Sequence, residues 1–144
     1  AAYQQMVSRL RTAGEMAKQE GITIGIRTGM GAKFDKKLLK KVGSSQIKVY
    51  YNFQDAADHH RDICKELRKL GAQRIVQIHV SNTDSVNLQE DPEINLPKIR
   101  KTLDKMKWSG WLVVERSRDV KRVRDVKYNF GRNIAYLKQV FQER

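Results

Sequence analysis

Four polar residues fall just where short apolar segments run out. Arg27 follows 22–26, Asn52 follows 47–51, His79 lies at the end of the run 74–80, and Glu115 closes 111–115. Imidazole moves protons near neutral pH and is a common metal ligand. A carboxylate can bind a hard cation or act as a general base. The amide oxygen of Asn can coordinate without contributing charge, whereas Arg stays protonated and only donates. A carboxylate after Trp-Leu-Val-Val is costly to bury without a partner, so Glu115 reads as a catalytic residue or the relic of one. A lone His after an apolar strand is commonly a hydrogen-bonded structural group, so His79 carries less weight alone.

The elements that must position these residues alternate. A helix is expected over 3–19, where Met6, Val7, Leu10, Ala13 and Ala17 fall near helical spacing. Strands are expected over 22–26, 47–51, 74–80 and 111–115. Helices are expected over 34–41, 55–70, 96–106 and 128–142. Asp55 is placed to cap the helix over 55–70, whose stripe is Ile63, Leu67 and Leu70. His59 and His60 open that helix facing different ways and read as surface residues. The order α-βα-βα-βα-βα predicts a parallel α/β sheet with right-handed crossovers, and chemistry in such sheets sits at the C-terminal strand ends. Gly29-Met30-Gly31 lacks the third glycine and the Lys-Ser/Thr of a phosphate loop, so a nucleotide-binding fold is disfavoured.

Composition sets the outer limits. The chain has 144 residues, 40% hydrophobic and 31% charged, the balance of one soluble domain with a real core. A single Cys excludes an intramolecular disulfide and a multi-Cys zinc site. No apolar run suggests a membrane span, and no signal peptide is visible, so a cytoplasmic location is expected. The chain does not start with Met, which fits a processed or trimmed piece of something longer. The 29 Lys and Arg against 16 Asp and Glu give a net charge of +13. Such a surface fits a nucleic-acid or other polyanion binder, and also a well-solvated face. Lys33, Lys36, Lys37, Lys40 and Lys41 crowd one segment; Arg116, Arg118, Lys121, Arg122, Arg124 and Lys127 crowd another.

Several stretches are familiar: Val49-Tyr50-Tyr51-Asn52-Phe53, Asp62-Ile63-Cys64-Lys65-Glu66-Leu67, Arg74-Ile75-Val76-Gln77-Ile78-His79, and above all Trp108-Ser109-Gly110-Trp111-Leu112-Val113-Val114-Glu115. Through them the chain resembles the sugar phosphate isomerase/epimerase family of xylose-isomerase-like TIM barrels. The resemblance covers only strands five to eight, so 1–144 is expected to be a single half-barrel domain, half of a (β/α)8 barrel. Such a half has two bare edges and an uncovered inner face, which invite association. A homodimer or a complementary half-barrel chain is therefore expected, with no membrane partner.

The resemblance also implies a site. The family holds a divalent metal (Mn, Mg, Co or Zn) through Glu, Asp, His and Glu at four successive strand ends, and acts on a sugar or sugar phosphate. By position, His79 and Glu115 match as metal ligands and Glu115 as a catalytic carboxylate. Asn52 stands where Asp is usual, and Arg27 replaces the first Glu. Asp55 stands where a substrate-binding His is common. Arg27, Arg116, Arg118 and Asp84 would line the substrate or anion side of the mouth. Arg27 weighs against a bound metal and against two-carboxylate catalysis; either an Arg27–Glu115 pair fills the vacated ion position, or Arg27 points to solvent from a rearranged barrel mouth. Three readings follow: a half barrel with little or no catalysis, an active metal-dependent isomerase/epimerase, or a basic module binding nucleic acid or other polyanions. A DNA-repair endonuclease of the same barrel class is poorly served by three His residues, two of them adjacent.

Overall fold

The computed structural model describes residues 1–143. Four short strands form one sheet: β1 (Ile24–Ile26), β2 (Ile47–Asn52), β3 (Ile75–His79) and β4 (Trp111–Val113). All pair in parallel, in the order β1-β2-β3-β4. Each strand neighbours the next in sequence, the order of successive strands in a barrel wall. The register aligns Asn52 with His79 and His79 with Val113, which brings the strand ends to a common rim.

Helices α1 (Ala2–Gln19), α2 (Ala32–Val42), α3 (Phe53–Ala57), α4 (Ile63–Leu70), α5 (Leu96–Lys105) and α6 (Val126–Phe141) complete the fold. In α2, Leu38, Leu39 and Val42 are buried while the lysines between them are exposed. That spacing supplies the apolar stripe a surface helix needs. Gly43 ends α2 at φ 73°, a left-handed position suited to glycine, and its N–H donates to Leu39 O at 2.9 Å. Arg11 of α1 bonds the carbonyls of Lys41 and Val42 at the same end. Leu38, Leu67, Leu70, Ile78, Leu96 and Ile99 are fully buried between helices and sheet. Each such side chain contributes about 1.5–3 kcal/mol on leaving water.

The helix expected over 55–70 is two helices. Asn52 caps α3 by accepting from Gln54 N at 2.8 Å, and Asp62 caps α4 by accepting from Lys65 N at 2.9 Å. Between them His60 adopts φ 50°, and His59 and His60 lie exposed in the turn. The last helix starts at Val126, earlier than expected, because the Asp125 carboxylate accepts from Tyr128 N.

The inner face of the sheet is mixed rather than uniformly apolar. Tyr50, Gln77 and His79 are half-buried there, and Trp111, in register with Gln77, is 78% exposed. Among the described residues no strand covers the outer edge of β1 or of β4.

Candidate functional site

The rim formed by the strand ends holds three separate groupings. At the β1 end, Arg27 makes a two-pronged ion pair with Asp55: Nε donates to Oδ2 at 2.8 Å and Nη2 to Oδ1 at 2.6 Å. The fork matches the carboxylate geometry, and the bond holds the Arg27 guanidinium above its ordinary pKa. The expected Arg27–Glu115 pair is therefore corrected. Asp55 is free to take Arg27 because Asn52, not Asp55, caps the helix that follows β2.

Asn52 is 1% exposed. Its Oδ1 accepts from Gln54 N, and its Nδ2 has no partner among the described residues. The capping bond fixes which end of the amide is oxygen. The donor half of the group is left unused, and the oxygen is engaged once, at a position sealed from solvent.

At the β3 and β4 ends, His79 and Glu115 come together as the sequence suggested. His79 Nδ1 lies 3.2 Å from Glu115 Oε2 and also hydrogen-bonds the Tyr50 hydroxyl. The Gln77 amide meets the other ring nitrogen at 3.4 Å. The His79 side chain is 13% exposed and that of Glu115 52%. The pair can pass a proton between a sheltered imidazole and a solvated carboxylate. Arg27 adds a cation to the same rim, since Glu115 is among the charges that favour its protonated form.

The third grouping joins the loops after β3 and β4. Asp84 accepts from Arg118 Nη2 at 2.5 Å, Arg118 Nε at 3.0 Å, the Arg118 backbone N at 3.2 Å and Arg116 Nη2 at 3.4 Å. The Arg118 bonds, followed by that from Arg116, hold the Asp84 carboxyl below the usual carboxylate range. All three residues thus sit at the rim, tied to one another.

Sequence reasoning missed the residues that fix these loops. Ser81 Oγ accepts from Glu115 N at 2.7 Å and Arg116 N at 3.1 Å. Ser117, buried at φ 69°, has its carbonyl held by Asn87 and Asn133. Asn129 Oδ1 accepts from Asp119 N, and Asn133 Oδ1 from Leu88 N. The available signal was polar residues spaced i, i+4 on the core-facing stripe of the last helix, at Asn129 and Asn133. Tyr50 carried no such signal beyond alternation along its strand.

A curved parallel sheet with helices outside and polar residues at its C-terminal rim defines half of a (β/α)8 barrel. The chain matches the family described as xylose isomerase-like TIM barrel over residues 1–140 and belongs to it. Among solved structures it is similar to D-psicose 3-epimerase from Clostridium cellulolyticum H10, at TM-score 0.76 and 15% identity, covering 96% of this chain and 55% of that one. It is also similar to 3-keto-D-glucoside 4-epimerase from E. coli, at TM-score 0.77 and 10% identity, covering 95% and 53%. A third similarity is to an AP endonuclease of family 2 from Brucella melitensis, at TM-score 0.69 and 15% identity, covering 90% and 54%. At these identities the likeness is one of fold, and the chain spans about half the length of the structures it matches. No curated protein matches the sequence.

Proposed function

We propose that this chain is a half barrel related to sugar and sugar-phosphate isomerases and epimerases, with little or no metal-dependent catalysis of its own. The observation that carries this reading is the Arg27–Asp55 pair. A guanidinium stands where the resemblance expects a ligating carboxylate, and the nearest acid is already neutralised by it. The residues present do not fit a divalent ion. His79 and Glu115 offer two ligands, Asn52 is 1% exposed with its oxygen capping a helix, and no group of three or more His, Cys, Asp or Glu placed to hold a metal occurs among the described residues. A cation about 5 Å from a divalent ion repels it by several kcal/mol even at an effective dielectric of about 20.

Self-association belongs to the same reading. The free edge of β4 borders a groove walled by Trp108, Trp111, Phe130, Ile134 and Phe141, so α6 overhangs a space where another strand would fit. A second copy that closes an eight-stranded barrel would cover this groove, the β1 edge and the Trp111 ring in one step.

Titration with Mn(II), read by calorimetry alongside solution mass, tests both parts. The chain should bind Mn(II) no tighter than millimolar and have the mass of a dimer. Arg27→Glu should tighten Mn(II) binding at least tenfold. Stoichiometric micromolar binding by the unaltered chain, with turnover of a ketose, would favour the active isomerase/epimerase instead. A compact monomer would remove the closure.

A further inference from the structure

The outer helical layer has a character the rim does not share. Lys98, Lys101 and Lys105 lie at i, i+3 and i+7 along α5, which places them in one stripe. They face Arg68 of α4 across a groove whose remaining walls are Thr102 and Met106. Beyond α4 lies α2, and its lysines are all exposed.

We propose that the outer faces of α2, α4 and α5 form a binding surface for the phosphate backbone of double-stranded nucleic acid, engaged without regard to base sequence. Packed helices lie about 8–10 Å apart, so three rows of cations cover a strip roughly 20 Å wide. That strip can meet phosphates of both strands across a groove about 6–12 Å wide.

The cations are available. Lys98 lies 3.9 Å from Asp62, and among the described residues no other exposed lysine of these helices makes an ion pair. The acids on the three helices are occupied elsewhere. Asp35 is buried against Thr28, Glu66 faces Arg61, and Asp104 faces Arg100. A face built only for solubility intersperses acids among its lysines, since like charges at helical spacing repel.

The surface also selects its polyanion. Single strands are held by stacking on exposed aromatic rings, and membrane surfaces by inserted apolar side chains. The exposed large hydrophobic residues, such as Met16, Met30, Trp111 and Ile134, all lie outside α2, α4 and α5. What remains is charge in rows, which suits a regular duplex backbone. The surface faces away from the inner side of the sheet, so the proposal stands whether or not the barrel closes or the rim catalyses.

Fluorescence anisotropy of the full chain with a labelled 24-base-pair DNA duplex of mixed sequence tests this. With about five phosphates engaged, affinity should fall about 10²- to 10³-fold between 50 and 200 mM salt. Lys98→Glu/Lys101→Glu/Lys105→Glu should weaken binding about 100-fold and flatten the salt slope by about three. Lys33→Gln/Lys37→Gln/Lys40→Gln, a milder change on another helix, should weaken it about tenfold. The equal charge change Lys121→Glu/Arg124→Glu/Lys127→Glu, away from the strip, should cost less than about fivefold. Circular dichroism should show all three variants folded. Equal losses from both glutamate triples would reduce the effect to net charge and overturn the proposal. So would no saturable binding at 50 mM salt, or tighter binding to a 24-base single strand or to phosphatidylserine vesicles.

Discussion

The rim of the half barrel and its outer helical layer both carry positive charge, but they hold it in opposite ways. At the rim the cations are arginines with carboxylates in reach: Arg27 with Asp55, and Arg116 and Arg118 with Asp84. On the outer layer they are mostly lysines, and Lys98–Asp62 at 3.9 Å is the one contact of its kind among the exposed lysines described there. The chemistry of the two side chains accounts for the division. A planar guanidinium forks onto a carboxylate and fixes a loop, whereas an ammonium on a flexible stem stays hydrated and mobile. Charge at the rim therefore builds structure, while charge on the outer layer remains available to a partner.

This contrast predicts a graded set of stability effects. The largest belongs to Asp84→Ala, which strips two arginines and a backbone N–H of their acceptor. It should cost about 2 kcal/mol in urea unfolding at pH 7. Because the Asp84 carboxyl is held below the usual range, its contribution is present above about pH 4 and is lost as pH falls through the lower folded value. The variant should thus lose less stability than the parent between pH 5 and pH 2. Asp55→Ala comes next at about 1 kcal/mol, smaller because Arg27 is partly solvated and its pair is screened. If it costs nothing, the rim arginines are as free as the outer lysines and the contrast fails.

The smallest effect should have the opposite sign. Replacing Lys33, Lys37 and Lys40 together by Gln should change stability by less than about 0.5 kcal/mol, in the stabilising direction at low salt. The gain should vanish at 1 M salt, where the Debye length is about 3 Å. A clear loss at every salt concentration would mean these lysines hold structure after all.

Much of this was legible in the sequence, and the failures have physical causes. The four strands read clearly because each is a short β-branched or aromatic run ending at a polar residue. His79 and Glu115 were placed at adjacent strand ends of one rim, but their direct contact was not read, because Glu115 was assigned to Arg27. The partner of Arg27 did not follow, because it depends on a competition between two helix caps. Asp55 and Asn52 are both good capping residues, and no Gly or Pro marks the break at His60. Once Asn52 takes the cap, Asp55 is released to the rim, so one misread helix start produced the wrong ion pair. The asparagines of α6 were illegible for another reason. Their partners are backbone groups of loops far away in sequence, and nothing local announces them.

Trp111 gives the molecule a built-in optical gauge. Its indole stands in water on the concave side of the sheet, whereas Trp108 is half-buried with its Nε1 donating to Ile75 O at 3.0 Å. Both indoles border the groove beside β4, and Trp111, the more exposed of the two, has the larger change of surroundings open to it. Emission should shift toward the blue as the concave side fills, and quenching by iodide should decline in parallel. The same residue that leaves the lumen bare would signal, without any added label, the moment it is covered.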